Sequence, residues 1–233
     1  MKRVNPEIRK YVAENIMPEY VNFDEAHGVK HICDVRDRSI EYFNELISKG
    51  ENLDINMVFI VACYHDIGMK IERKNHAIHS AEILLADENL KKWFSPEQIE
   101  TMAQAVKDHS TSSSNAPESI YGMIVSDADK DRDSTLGIIR GIEFYKKRHK
   151  NFDVNQCAED VHREIVKRFG KEDIGGENLV KFYISSNYNE VFMKEMVEFA
   201  YNKEIYLKRF HEIIENEIQK FEEDVKLHSQ QKK

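Results

Sequence analysis

Apolar positions recur along this chain with helical period, and short polar breaks separate them. Ile32, Val35, Phe43 and Leu46 share one face of a helix predicted from about Asp24 to Lys49. Asp54 is placed to cap the next helix, whose run MVFIVAC is apolar on every side. That is the pattern of a central buried helix. The run ends in Tyr64–His65–Asp66, and Gly68 suits a helix end. A helix from about His76 to Leu90 follows. Ser95–Pro96–Glu97–Gln98 reads as a capping box with Pro at the first helical position. Ile99, Met102, Ala103 and Val106 form the inner face of that helix, and His109 lies three residues beyond on the same face. A polar loop, STSSSNAP, precedes a helix starting near Glu118. Asp153 caps a helix with Val154, Cys157, Val161, Ile165 and Phe169 inward, and Gly175–Gly176 break the pattern again. A long helix from about Asn189 to Lys226 carries Phe192, Met196, Phe199, Tyr206, Phe210, Ile214, Ile218 and Phe221 on one side. Strand-like alternation is hard to find, and only 9 Gly and 4 Pro interrupt the chain. The expected architecture is all-α.

Composition narrows the class. The 233 residues, 41% hydrophobic and 33% charged, suffice for a real core. The net charge of −8 argues against a nucleic-acid surface. No apolar run approaches the ~20 residues needed to span a bilayer, so no membrane partner is expected. The N-terminus lacks the apolar core of a signal peptide. The three cysteines, Cys33, Cys63 and Cys157, stand at unrelated spacings and suggest reduced thiols, hence a cytoplasmic protein.

Titratable residues then change the picture. A His–Asp pair at the end of a buried run is costly unless hydrogen-bonded or bound to a metal. Asp127 lies three residues after Ile124, four after Met123 and seven after Ile120, on the buried face of its helix. Asp129 is expected to point elsewhere, and Asp131, four residues on, returns toward the face of Asp127. His31 follows His27 by four residues, so their imidazoles share a side. Taken singly, each histidine is more often a core or surface residue than a ligand. Together, five helical segments present His31, His65–Asp66, His76, His109 and Asp127 at inward or helix-end positions. Imidazole and carboxylate are the ligand set of Zn, Mn, Fe, Co or Ni, and carboxylate suits Mg. The absence of Cys from the set argues against a closed structural zinc site.

DEAHGVKHICDV, VACYHDIGMK, HAIHSAEIL and IVSDAD, in this order, resemble the HD-domain superfamily of metal-dependent phosphohydrolases. The resemblance covers roughly Asn22 to Arg140. It implies an all-α, HD-domain-like helical bundle over residues 1–150, with 151–233 as a helical C-terminal extension packing on the domain or on a partner. It implies a metal held by His31, His65, Asp66 and Asp127. In relatives with two metals further histidines join, and His76 and His109 occupy those places. Two departures stand out. Lys70 is shifted by one residue from the usual lysine after the HD motif, and Cys33–Asp34 replace an arginine found in related chains.

The implied activity is hydrolysis of a phosphomonoester or phosphodiester of a nucleotide-like small molecule. A divalent metal, one or two per chain (Mn, Ni, Co, Zn, Mg or Fe), would activate water and offset phosphate charge. Asp66 is the candidate bridging carboxylate between two metals. Lys70, Arg73 and Lys130 are candidate phosphate contacts, His27 a candidate contact to ligand or water, and Asp131 a carboxylate that orients a histidine. Two other readings stay open: a di-iron HD-domain oxygenase using the same ligands, and a non-catalytic nucleotide-binding module. The apolar stripe of the long C-terminal helix fits either a homodimer or its own domain's core.

Overall fold

The structure is a computed structural model that describes residues 2–23, 27–110, 116–130 and 132–230, with side chains described to residue 219. Among these residues the regular structure is all helical, with no strand. Two compact units divide the chain. The first comprises Met1–Lys130 and Phe182–Ser186, the second Asp131–Lys181 and Asn187–Lys233. The division falls before the residue-150 boundary drawn from sequence and returns five later residues to the first unit.

The first unit is built around α3 (Ile55–Tyr64), in which every residue but Asn56 is buried. Such a helix leaves no solvated face, so other helices must cover it on all sides. Around it stand α1 (Pro6–Asn15), α2 (Val29–Ser48), α4 (His76–Ala86), α5 (Pro96–Asp108) and α6 (Ile120–Asp129), with 3-10 turns at Met17–Asn22, Ile67–Lys70 and Glu88–Lys92. The expected caps are present. Asp54 accepts from the amide of Asn56, and Ser95 and Gln98 form a complete capping box. The helix expected to run from His76 to Leu90 stops at Ala86, because Asp87 turns the chain and its carboxylate accepts the Asn89 amide at 3.0 Å. Residues 111–115 of the polar loop lie outside the described residues.

Asp87 also knots three elements together. Its Oδ2 accepts the hydroxyl of Tyr64 at 2.5 Å and that of Tyr11 from α1. Burial alone would raise the Asp87 pKa, but the two hydroxyls and the Asn89 amide outweigh it and hold the carboxyl below its usual value. A depressed folded-state pKa contributes stability above the unfolded value of about 4, and that contribution disappears as pH falls through the folded value. Asp87→Asn is therefore expected to lose roughly 1–2 kcal/mol at pH 7 and nothing comparable once the pH lies below the depressed folded-state value. Urea unfolding at both pH values checks this; an equal loss at both contradicts it.

The second unit holds α7 (Ser134–Arg148), α8 (Val154–Phe169), α9 (Asn187–Tyr201) and α10 (Lys203–Gln230). Asp153 caps α8 as expected. The single long helix expected from Asn189 is instead two helices broken at Asn202, whose side chain accepts the Ile205 amide at 3.2 Å and starts α10. Phe192, Met196, Phe199, Tyr206 and Phe210 are buried as expected, whereas Ile218 is exposed and Phe221 lies beyond the described side chains. No helix among the described residues is long and apolar enough to cross a membrane.

Candidate metal centre

The ends of the helices in the first unit assemble the site. His65 and His109 are the residues that close α3 and α5. His76 opens α4, His31 lies in the first turn of α2, and Asp129 is the last residue of α6. The last carbonyls of a helix have no intrahelical partner. Two of the histidines use them: Nδ1 of His65 meets the carbonyl of Ala62 at 2.8 Å, and Nδ1 of His109 meets that of Val106 at 2.6 Å. His76 repeats the contact in the turn before its helix, with the Arg73 carbonyl at 2.8 Å. A carbonyl only accepts, so each Nδ1 carries a proton and Nε2 is the nitrogen left to face the carboxylates, and the one a bound cation would take.

All of these Nε2 atoms converge on carboxylates. Asp66 divides its two oxygens between two pairs of histidines. Oδ2 lies 3.5 Å from Nε2 of His31 and 3.4 Å from Nε2 of His65, while Oδ1 lies 3.2 Å from Nε2 of His76 and 3.5 Å from Nε2 of His109. Oδ1 of Asp129 stands 3.1 Å from Nε2 of His31 and 3.7 Å from Nε2 of His65. The Nε2 atoms of His76 and His109 face one another at 3.2 Å. Three overlapping groups have ligand atoms close enough to share an ion: His31–His65–Asp66, His65–His109–Asp129 and Asp66–His76–His109.

This donor set fits divalent cations. The Nε2 atoms of His31 and His65 are buried without a hydrogen-bond partner, which is costly for polar atoms that nothing else satisfies. With Nδ1 of both rings turned to carbonyls, the two Nε2 atoms of His76 and His109 stand 3.2 Å apart, near enough for one cation to take both. The electrostatics agree. Burial would raise the pKa of Asp66, but His65, His109 and His31 hold it well below the carboxylate range. Burial likewise opposes ionisation of Asp129, and His31 and His65 overcome it. Both carboxylates stay ionised, and the negative ends of α3, α5 and α6 add to the field. Nitrogen and oxygen donors without thiolate suit Mn, Fe, Co, Ni or Zn.

His31, His65, Asp66, His76 and His109 are thus brought together. Asp127 is not. It is fully buried, as its helical position predicts, but its Oδ2 accepts the backbone amides of Tyr183 at 2.8 Å and Ile184 at 2.7 Å, and its Oδ1 accepts from Lys130 at 3.0 Å. The carboxylate of α6 that reaches the histidines is Asp129, which the sequence reading had pointing elsewhere. Helical period identifies a buried face but not which neighbour that face meets. The signal that was available is the doubled Asp of SDAD, which offers two registers.

The proposed substrate contacts are scattered. Lys70 is paired with Glu19 at 3.1 Å on the surface. Lys130 is bonded to Asp127 and to Ser126, each at 3.0 Å, so its ammonium is committed within the fold. Arg73 is exposed in the turn before His76 and lends its carbonyl to that ring. The His27 ring lies 6.0 Å from that of His31. Asp131 lies outside the described residues.

Residues 36–132 match the family model of the HD domain. No curated protein matches the chain. A solved structure of a predicted HD superfamily hydrolase from an uncultured Thermotogales bacterium is similar, at 22% identity over 70% of this chain and 89% of that one, with a TM-score of 0.43. The match spans His65–Asp66, His76, His109 and Asp129. Over residues 36–132, then, the chain is similar to the HD domain.

Proposed function

We propose that the chain is a metal-dependent phosphohydrolase with a two-cation centre bridged by Asp66. One observation carries the reading: the two oxygens of Asp66 face separate pairs of imidazoles, His31–His65 and His76–His109. Asp129 completes the first pair. Two bound cations would supply Lewis acidity and a nucleophile at neutral pH for in-line displacement at phosphorus. The protein's part is to fix the ligands. Nδ1 contacts to Ala62, Arg73 and Val106 lock three rings in orientation and tautomer. The mouth of the centre is the side of His31 and His76, whose side chains keep 11% and 20% of their exposure, whereas His65 is closed off. His27 beside His31 and Arg73 beside His76 are the residues we assign to the substrate, a phosphomonoester or phosphodiester of a nucleotide-like molecule.

The test is hydrolysis of p-nitrophenyl phosphate and bis-p-nitrophenyl phosphate by protein loaded with Mn, Co or Ni. Turnover of either that disappears with a chelator and returns with metal is expected. No turnover of these or of a nucleotide panel, with iron bound and oxygen consumed, would replace this reading by the di-iron oxygenase.

A further inference from the structure

Asp127 is buried, charged and two residues from a metal-centre carboxylate, yet both of its oxygens are committed elsewhere. The partners come from far along the chain: the Tyr183 amide is 56 residues away. The segment holding it, Phe182–Ser186, belongs to the first compact unit although the residues on both sides of it belong to the second. Ile184 is buried in the first unit's core. Lys130 completes the knot, its ammonium 5.3 Å from the centre of the Phe182 ring and 5.0 Å from that of Tyr183.

Asp129 stands where a helix is weakest, on its last residue, with no further turn to hold it. Two clamps bracket it. From one side Arg38 of α2 donates to the carbonyls of Ala128 at 3.3 Å and Lys130 at 3.0 Å. Arg38 lies seven residues, two turns, after His31, so one face of α2 both grips the end of α6 and presents the imidazole that meets Asp129. From the other side the strap holds Asp127 through two amides.

We propose that Phe182–Ser186 is a strap whose backbone amides, through Asp127 as a positioning residue, set the place of Asp129 in the metal centre. Asp127 then touches neither metal nor substrate. It fixes the final turn of α6 so that the carboxylate two residues on meets His31 and His65 at the spacing seen. The proposal rests on the two-cation reading above. Outer partners that orient a metal ligand typically change affinity by about 10–100-fold, and that is the size of effect expected here.

The experiment is a Co(II) titration of the full-length protein followed by its visible absorption, with melting temperature measured alongside, for wild type, Asp127→Asn, Arg38→Met and Asp129→Asn. Asp127→Asn keeps the size of the side chain but cannot accept both amides and pair with Lys130. Asp127→Asn and Arg38→Met are expected to bind as many ions as wild type, with one ion weakened about 10–100-fold and an altered Co(II) spectrum. Asp129→Asn is expected to lose that ion. A lower melting temperature with unchanged affinity and spectrum in both clamp variants would show a merely structural knot and overturn the proposal. So would loss of an ion in Asp127→Asn with full binding in Asp129→Asn, which would make Asp127 the ligand. If Asp127→Asn fails to fold, Tyr183→Pro, which removes one of the two strap amides that Asp127 accepts, decides by the same criteria. A wild type that binds no Co(II) overturns the metal centre itself, and the strap's role with it; a wild type that binds normally confines any failure to the strap.

Discussion

Asp66→Asn is expected to abolish binding of both cations and to reduce hydrolysis more than about a hundredfold, since changing a mere outer partner of a metal ligand already costs about 10–100-fold. Asp66 is the one residue shared by the two histidine pairs, so losing its charge acts on both. The amide is nearly the same size as the carboxylate. Its NH2 group can donate to an Nε2 lone pair, which compensates part of the lost polar contact inside a buried cluster. The fold should therefore survive while the centre does not. Metal content and circular dichroism of the variant, purified beside wild type, read the two effects separately. Two cations retained in a folded Asp66→Asn protein would rule out the bridging role.

Gly68→Ala should produce the largest loss of stability of any single methyl group added to the first unit's site. The residue lies in the 3-10 turn after His65–Asp66, where the chain passes against the start of α4. A Cβ there would stand 2.2 Å from the carbonyl oxygen of His76, 2.5 Å from the amide nitrogen of Ser80 and 2.9 Å from Cβ of His79. Two of these are backbone atoms of a helix and cannot rotate away. The hydrogen bond from the Gly68 amide to the Ser80 hydroxyl, 2.8 Å, spans the same contact. Overpacking of this kind costs about 1–3 kcal/mol or more, a melting temperature lower by roughly 5–10 °C. Relief requires α4 to shift, and α4 carries His76. Metal bound by the His76–His109 pair should weaken with the melting temperature. A variant with wild-type stability and wild-type metal content would contradict both statements.

Gly68 also shows how far the sequence could be read. A glycine after a buried apolar run was legible as a helix end, but its actual reason is the close approach of α4, which no local pattern contains. The same division runs through the site. The all-α class, the buried α3, and the caps at Asp54, Ser95 and Asp153 follow from local period and capping chemistry, and they are present. The convergence of His31, His65, Asp66, His76 and His109 was visible as an ordered set of residues at helix ends, and the geometry brings them together. The choice between Asp127 and Asp129 was not visible. Both are accessible from α6, and what separates them is a backbone segment more than fifty residues later. Lys130 follows from the same cause: its charge, apparently free beside an aspartate, is committed once Asp127 is buried beside it. Helix ends were missed where a polar side chain intervened, at Asp87 and Asn202. There the chain continues to look helical in period, and a single capping contact decides the break.

The most direct test of the two-cation centre is elemental analysis of the full-length protein, purified without chelator and then loaded with Mn or Co, reporting atoms bound per chain after removal of excess. Two ions per chain are predicted, falling to none in Asp66→Asn. One ion or none in the loaded wild type would contradict a centre bridged by Asp66.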